Sequence, residues 1–173
     1  MTPSSDSALQ ARTRRGQRAP GVRLHRGHAG EPSGALPSSS CTAAPNLLTW
    51  AEVNRTHRVR NGVYQRRGRL VSLLTDFGRI NPCYPDYFRP ASNDTIIYTG
   101  EGRRGEQHLS PGNRALRAAI KSGHAVPLFN KLAPGRWQHL GYWRVTEGQQ
   151  SFDERENRML WRFTLKKVMS DER

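Results

Sequence analysis

The chain has 173 residues and a formal net charge of +14, from 28 Lys and Arg against 14 Asp and Glu. That is room for one ordinary domain and a tail, which excludes a multidomain machine, and the excess of positive charge points to a polyanion, nucleic acid ahead of an anionic membrane surface. Two distant cysteines, Cys41 and Cys83, exclude a disulfide framework or metal knuckle, and no apolar run approaches the ~20 residues of a membrane span or a secretory signal, so a cytoplasmic, nucleoid-associated protein is expected.

Residues 1–45 are rich in Ser, Pro, Gly, Ala and Arg and hold no aromatic residue. Such a segment cannot bury enough apolar surface to offset the entropy of ordering, so a disordered basic tail is expected there. It carries six arginines against Asp6 and Glu31, which leaves +10 on residues 46–173, the expected folded domain.

From Leu47 the texture changes. In "LTWAEV" Thr49 stands three residues before Glu52, the spacing of a capping box that opens a short helix. "GRLVSLLTDFG" (68–78) predicts a buried strand, "RINPCYPDYFRPASND" (79–94) a proline-broken loop with two tyrosines, and "TIIYTG" (95–100) a second strand. "SPGNRALRAAIKSG" (110–123) predicts a helix with Ser110 as N-cap, Pro111 at its first position and Gly123 just past its end. "HAVPLFNKL", a turn at "APGR" and "WQHLGYWRVTE" predict a β-hairpin. "RMLWRFTLKKV" (158–168) alternates, with Met159, Trp161, Phe163 and Leu165 on one face and Leu160, Arg162, Thr164 and Lys166 on the other, which predicts a half-buried strand with a basic outer face. Five or so strands and two helices predict an α+β domain with a curved sheet or partial barrel.

The chemistry-bearing residues exclude more than they assign. "GEGRRG" (100–105) lacks the Gly-Lys-Ser/Thr ending of a P-loop and the spacing of a dinucleotide fingerprint. The histidines form no ligand ladder, "DERE" (153–156) reads as a solvated loop, and only Asp76 and Glu101 could serve a nuclease core, without the lysine it needs. No catalytic residue, metal or cofactor is predicted. Aromatic residues interleaved with arginine, as in "NPCYPDYFR", "IIYTGEGRR" and "RWQHLGYWR", suit bases and phosphates. Arg103 and Arg104 at the loop tip, and Arg114 on the helix that follows, are the candidates for the DNA backbone.

The ordered series "IIYTGEGRRGEQ", "GNRAL", "GHAVPLFNK", "WQHLGYWRV" and "MLWRFTLKK" resembles the SRA (SET and RING associated, or YDG) domain over residues 79–168. "NPCYPDYF" ahead of "YTGEG" looks more like the SRA-like recognition domains of bacterial modification-dependent restriction endonucleases. The resemblance implies a PUA-like twisted β-barrel with a few packed helices, which flips a modified cytosine, 5-methylcytosine first, out of duplex DNA into a pocket. It implies that Tyr98 stacks on the base and that Thr99 and Gly100 line the pocket. A second ring and a carboxylate come from the upstream loop, where Tyr84, Asp86 and Tyr87 are the candidates and Asp94 the fallback. Gln107 and Asn113 would fix the loop onto the helix. The partners implied are double-stranded DNA and, because bacterial relatives carry a nuclease domain beyond the last strand, a separate nuclease subunit; a stand-alone reader, a small modification-dependent endonuclease and a generic basic nucleic-acid-binding barrel without base flipping are the alternatives.

Overall fold

The computed structural model describes residues 46–169; the expected tail at 1–45 lies outside the described residues. Along the chain the elements are β1 Leu47–Leu48, α1 Trp50–Asn54, β2 Val63–Arg66, β3 Arg69–Thr75, β4 Tyr87–Phe88, β5 Thr95–Thr99, α2 Pro111–Ser122, β6 Ala125–Ala133, β7 Arg136–Asp153 and β8 Arg158–Val168. The helix signals act as read. The Thr49 hydroxyl accepts from the Glu52 amide while the Glu52 carboxylate accepts from the Thr49 amide at 2.7 Å, so α1 opens with two of its orphan donors satisfied. The Ser110 hydroxyl accepts from the Asn113 amide, and α2 stops at Gly123, whose φ of +62° only a residue without Cβ adopts at no cost.

β3 and β6 read as continuous apolar runs because both of their faces are covered. Successive side chains point to opposite sides, so Leu73 and Leu128 join the main core with Ala115, Leu116 and Ala119 of α2, Trp143 and Phe163. Leu74 and Phe129 instead meet Val53 and Trp137 in a smaller core beside α1 and Trp50. Trp143, Phe163, Leu73 and Leu128 are all within 1% of complete burial, each contributing roughly 1.5 to 3 kcal/mol by removal from water.

The strands form one sheet in the order β2-β3-β6-β7-β8-β5-β4, with β1 added to β7. All neighbours are antiparallel except β3 and β6, which pair in parallel because the intervening β4, β5 and α2 form the crossover that a parallel pair requires. The sheet curls without its outer strands pairing, so the barrel is open at β2 and β4. The predicted hairpin is β6 with β7, turning at Pro134 and Gly135.

Four details depart from the sequence reading. A hairpin of β2 and β3 turns on Arg67 and Gly68, whose φ values of 52° and 78° match the twist of the strands through a two-residue loop. β4 lies inside the segment read as a loop, paired to β5. The outer face of β8 is not a solvated basic face, because Leu160, Arg158 and Thr164 are buried and Arg162 is half-buried under the 83–86 segment and the glycine loop. "DERE" is likewise not merely solvated: the Asp153 carboxylate accepts from the amides of Arg155 and Glu156 and pairs with Arg162.

Candidate functional site

Four segments meet at the end of β5: the 57–63 approach to β2, the 81–86 segment, the glycine loop 100–105 and the start of β7. Between them lies a cavity of about 750 Å³ lined by Tyr84, Asp86, Tyr98, Thr99, Gly100 and Arg103, together with Trp50, Arg60, Gly62, Thr75, Lys131 and Trp137. Each wall is fixed from below. Asp76 accepts from the amides of Gly78 and Asn81 and from the Asn81 side chain, which knots the turn leading into the 81–86 segment. Burial lowers the His57 pKa to about 4, so the ring is neutral; Nε2 lies 2.7 Å from the Asn61 carbonyl, which can only accept, so Nε2 donates there and Nδ1 accepts from the Ser72 hydroxyl at 2.8 Å. That bond carries Asn61 and Gly62 to the cavity edge.

Two buried carboxylates line the cavity, Asp76, taken up by the turn amides, and Asp86. Asp86 Oδ2 accepts from the Thr75 hydroxyl at 2.6 Å and its Oδ1 from the Thr99 amide at 2.7 Å. Burial pushes it from an ordinary 3.8 up to about 7, against the opposing pull of those bonds. The Tyr98 ring is held by its hydroxyl, which donates to the Leu74 carbonyl at 3.0 Å, and burial drives its phenol well above the usual range. Only 2% of Tyr98 is exposed, so the ring is at once cavity wall and core. Burial also raises the Tyr84 phenol.

The glycine loop is tied down on both sides. Gln107 donates through Nε2 to the carbonyls of Gly100 and Gly102 and accepts from the Trp161 amide; Asn113 accepts from the Glu101 amide and donates to the carbonyls of Glu101 and His108. A Cβ on Gly100 would stand 2.5 Å from Asn113 Oδ1 and 2.8 Å from Trp161 Cβ, so the close approach itself requires glycine. Glu101 accepts from Ser110 and from the Gly112 amide at the start of α2, a capping role.

Of the expected residues, Tyr84, Asp86, Tyr98, Thr99, Gly100 and Arg103 come together, while Gln107 and Asn113 stand behind them. Tyr87 does not join them: next to inward-facing Asp86 it points the other way, is 48% exposed and lines a second cavity of about 1190 Å³. Asp94 is exposed and holds the hydroxyls of Ser92 and Thr95. Arg104 is exposed at the loop tip, and Arg114 is exposed with Nη1 donating to the Leu109 carbonyl. Trp137 comes from the aromatic-arginine stretch "RWQHLGYWR", whereas no sequence signal marks Thr75, Arg60, Lys131 or Trp50. The Arg60 guanidinium lies 5.2 Å from the Trp50 ring and the Lys131 ammonium 5.7 Å from Trp137, a cationic rim that only folding assembles. Among the described residues no group of His, Cys, Asp and Glu could hold a metal, and no helix is long and apolar enough to cross a membrane.

Comparison with known families decides the kinship. A family described as ScoMcrA-like, SRA domain, matches residues 58–173. The chain belongs to this SRA family. Its fold recurs in solved SRA structures. The SUVH5 SRA domain in complex with hemi-methylated CG DNA has a TM-score of 0.58 at 23% identity, covering 68% of this chain and 81% of that one. The modification-dependent restriction endonuclease TagI has a TM-score of 0.57 at 19% identity over 71% of this chain, and this chain spans 48% of TagI. Arabidopsis thaliana SUVH6 in complex with SAM has a TM-score of 0.53 at 19% identity, covering 70% of this chain and 24% of that one. A search of curated proteins gives no match. At these identities the shared property is the SRA fold.

Proposed function

We propose that this SRA domain is a DNA-binding reader that takes a modified cytosine, 5-methylcytosine first, out of duplex DNA into the cavity beside Asp86 and Tyr98. The observation that carries the reading is the convergence, in one cavity of about 750 Å³, of a buried carboxylate, two tyrosines and the backbone of Thr99 and Gly100. Extruding a base costs a few kcal/mol, and stacking on a ring returns ~1 to 3 kcal/mol. Asp86 accepts from the exocyclic amino group that cytosine has and thymine lacks. Thr99 and Gly100 lie near the 5-substituent, where a methyl group finds apolar contact. Arg60, Arg103 and Lys131 at the rim meet phosphates, with Arg104 and Arg114 further along the backbone path.

The solved relatives support this reading: SUVH5 SRA was captured on methylated and on hydroxymethylated CG DNA, and TagI is named a modification-dependent restriction endonuclease. In our reading the domain performs no chemistry itself and serves as the recognition part of a modification-dependent restriction system, acting with a separate nuclease subunit. The test is fluorescence anisotropy on one labelled duplex in unmodified, 5-methylcytosine and 5-hydroxymethylcytosine forms, at two salt concentrations. A preference of about tenfold, ~1.4 kcal/mol, that persists at the higher salt is expected. Equal, salt-sensitive binding to all three duplexes would overturn base reading and leave a generic basic DNA binder.

A further inference from the structure

Two arginines counted above among the positive charges are turned inward. Arg158 and Arg162 stand four residues apart on β8, on the same face of the strand, and Arg158 is only 5% exposed. Arg158 donates through Nη1 to the carbonyls of Gly102 and Gly105 at 2.8 and 3.0 Å, and through Nη2 to the Cys83 carbonyl at 3.0 Å. Arg162 donates through Nη1 to the Pro85 carbonyl at 3.0 Å and to the Thr99 hydroxyl at 2.6 Å. Each guanidinium therefore spans the same gap, with the 83–85 segment on one side and the 99–105 segment on the other. Those segments carry the two walls of the cavity: Tyr84 on the first, with Asp86 directly after that segment, and Thr99, Gly100 and Arg103 on the second. Both arginines are anchored by the β7–β8 turn, Arg162 by Asp153 and Arg158 by Glu156 at 3.5 Å.

We propose that Arg158 and Arg162 are positioning residues that set the width of the base pocket by clasping its two walls. The proposal rests on the reading of this cavity as a base pocket. A planar guanidinium offers five donors in a fixed fork and can hold several carbonyls at once, which a lysine ammonium, a mobile point charge, cannot do in the same geometry. A recognition site tolerates displacements of only about 0.5 Å, so a clasp of this kind governs discrimination before it governs affinity. Asp153 and Glu156 neutralise the pair locally, which takes both arginines out of the phosphate-facing charge.

The test uses Arg162→Lys and Arg158→Lys, which keep the charge and remove the fork, in the full chain with the same duplexes at two salt concentrations, beside thermal melts. The expected result is a cooperative melt, a preference for modified over plain duplex reduced by about tenfold, and plain-duplex affinity and salt slope unchanged within about twofold. A folded Arg162→Lys that keeps its preference overturns the clasp alone and leaves the base pocket standing. Equal loss on both duplexes with a shallower salt slope also overturns it, because the arginine then serves phosphates. A wild type without any preference removes the pocket reading and the clasp with it. If the lysine variants do not fold, Asp153→Asn, which removes the carboxylate that holds the Arg162 guanidinium in place, is read by the ratio of modified- to plain-duplex affinity: a fall supports the clasp, and an unchanged ratio overturns it.

Discussion

Asp86 shows how burial writes a pH dependence into a single residue. The folded protein keeps a proton on this carboxyl up to about pH 7, whereas the unfolded chain gives it up near its ordinary 3.8. Its contribution to stability is therefore fully present at acid pH and is lost as pH rises through 7. His57 works in the opposite sense: burial lowers it to about 4, so the unfolded chain takes up a proton below 6.5 that the fold refuses. The two slopes oppose each other between those values, and above 6.5 only Asp86 still titrates. The clean measurement is the Tm difference between Asp86→Asn and wild type, which is expected to move in favour of the variant from about pH 5 to about pH 8; a flat difference would sink the assignment. Tyr98 needs a similar separation of roles. Because it is core as well as wall, Tyr98→Ala is expected to cost ~3 to 5 kcal/mol of stability by cavity formation. Tyr98→Phe removes only the bond to Leu74 and is expected to cost ~1 kcal/mol in a urea melt; under the proposed stacking role it keeps the ring and therefore any preference for modified DNA.

At the scale of elements, α2 and the glycine loop are one unit. Ser110 caps the helix and also donates to Glu101, and Asn113 holds the loop from the helix's first turn. Ser110→Ala is expected to lose about 1 to 2 kcal/mol, read by denaturant unfolding, more than an isolated cap because two bonds go together. Gly112→Ala is a sharper probe. A Cβ there would stand 2.2 Å from the Glu101 carboxyl carbon, so Glu101 must leave the helix start and the loop must loosen. Hydrogen exchange across residues 100–107 is expected to accelerate in this variant while β3 and β6 stay protected; unchanged exchange would show that the loop is held from β8 alone.

For the molecule as a whole, charge and core divide the work. The net charge of +14 supplies long-range attraction to a polyanion without sequence information. Arg103→Ala is expected to weaken binding to modified and plain duplex about equally and to lower the salt slope, measured by anisotropy over a salt series. A loss confined to the modified duplex would move Arg103 from the backbone to the base. The core answers to other rules. Trp143 is 1% exposed at the meeting of β6, β7 and α2, and Trp143→Ala is expected to cost ~3 to 5 kcal/mol without touching the cavity.

What could be read without the fold was whatever local chemistry determines. Thr49 with Glu52, and Ser110 with Pro111 and Gly123, placed both helices because caps act within four residues of backbone. Apolar runs located β3, β5 and the β6–β7 hairpin, and the ordered motifs around Tyr98 identified the SRA fold. The Arg67-Gly68 turn carries a local signal for the β2–β3 hairpin as well. Everything that depends on which segments meet across the sheet belonged to the tertiary structure. Alternation along β8 marks Arg162 as facing away from Phe163, but only the arrival of the 83–86 segment and the glycine loop turns that outer face into an interior. Alternation likewise cannot say that Asp86 rather than Tyr87 faces the cavity until β4 is paired in register with β5. Nor can any local pattern raise a carboxyl to about 7: that took the exclusion of water by segments brought together from separate stretches of chain, which outweighs the downward pull of the bonds from Thr75 and Thr99.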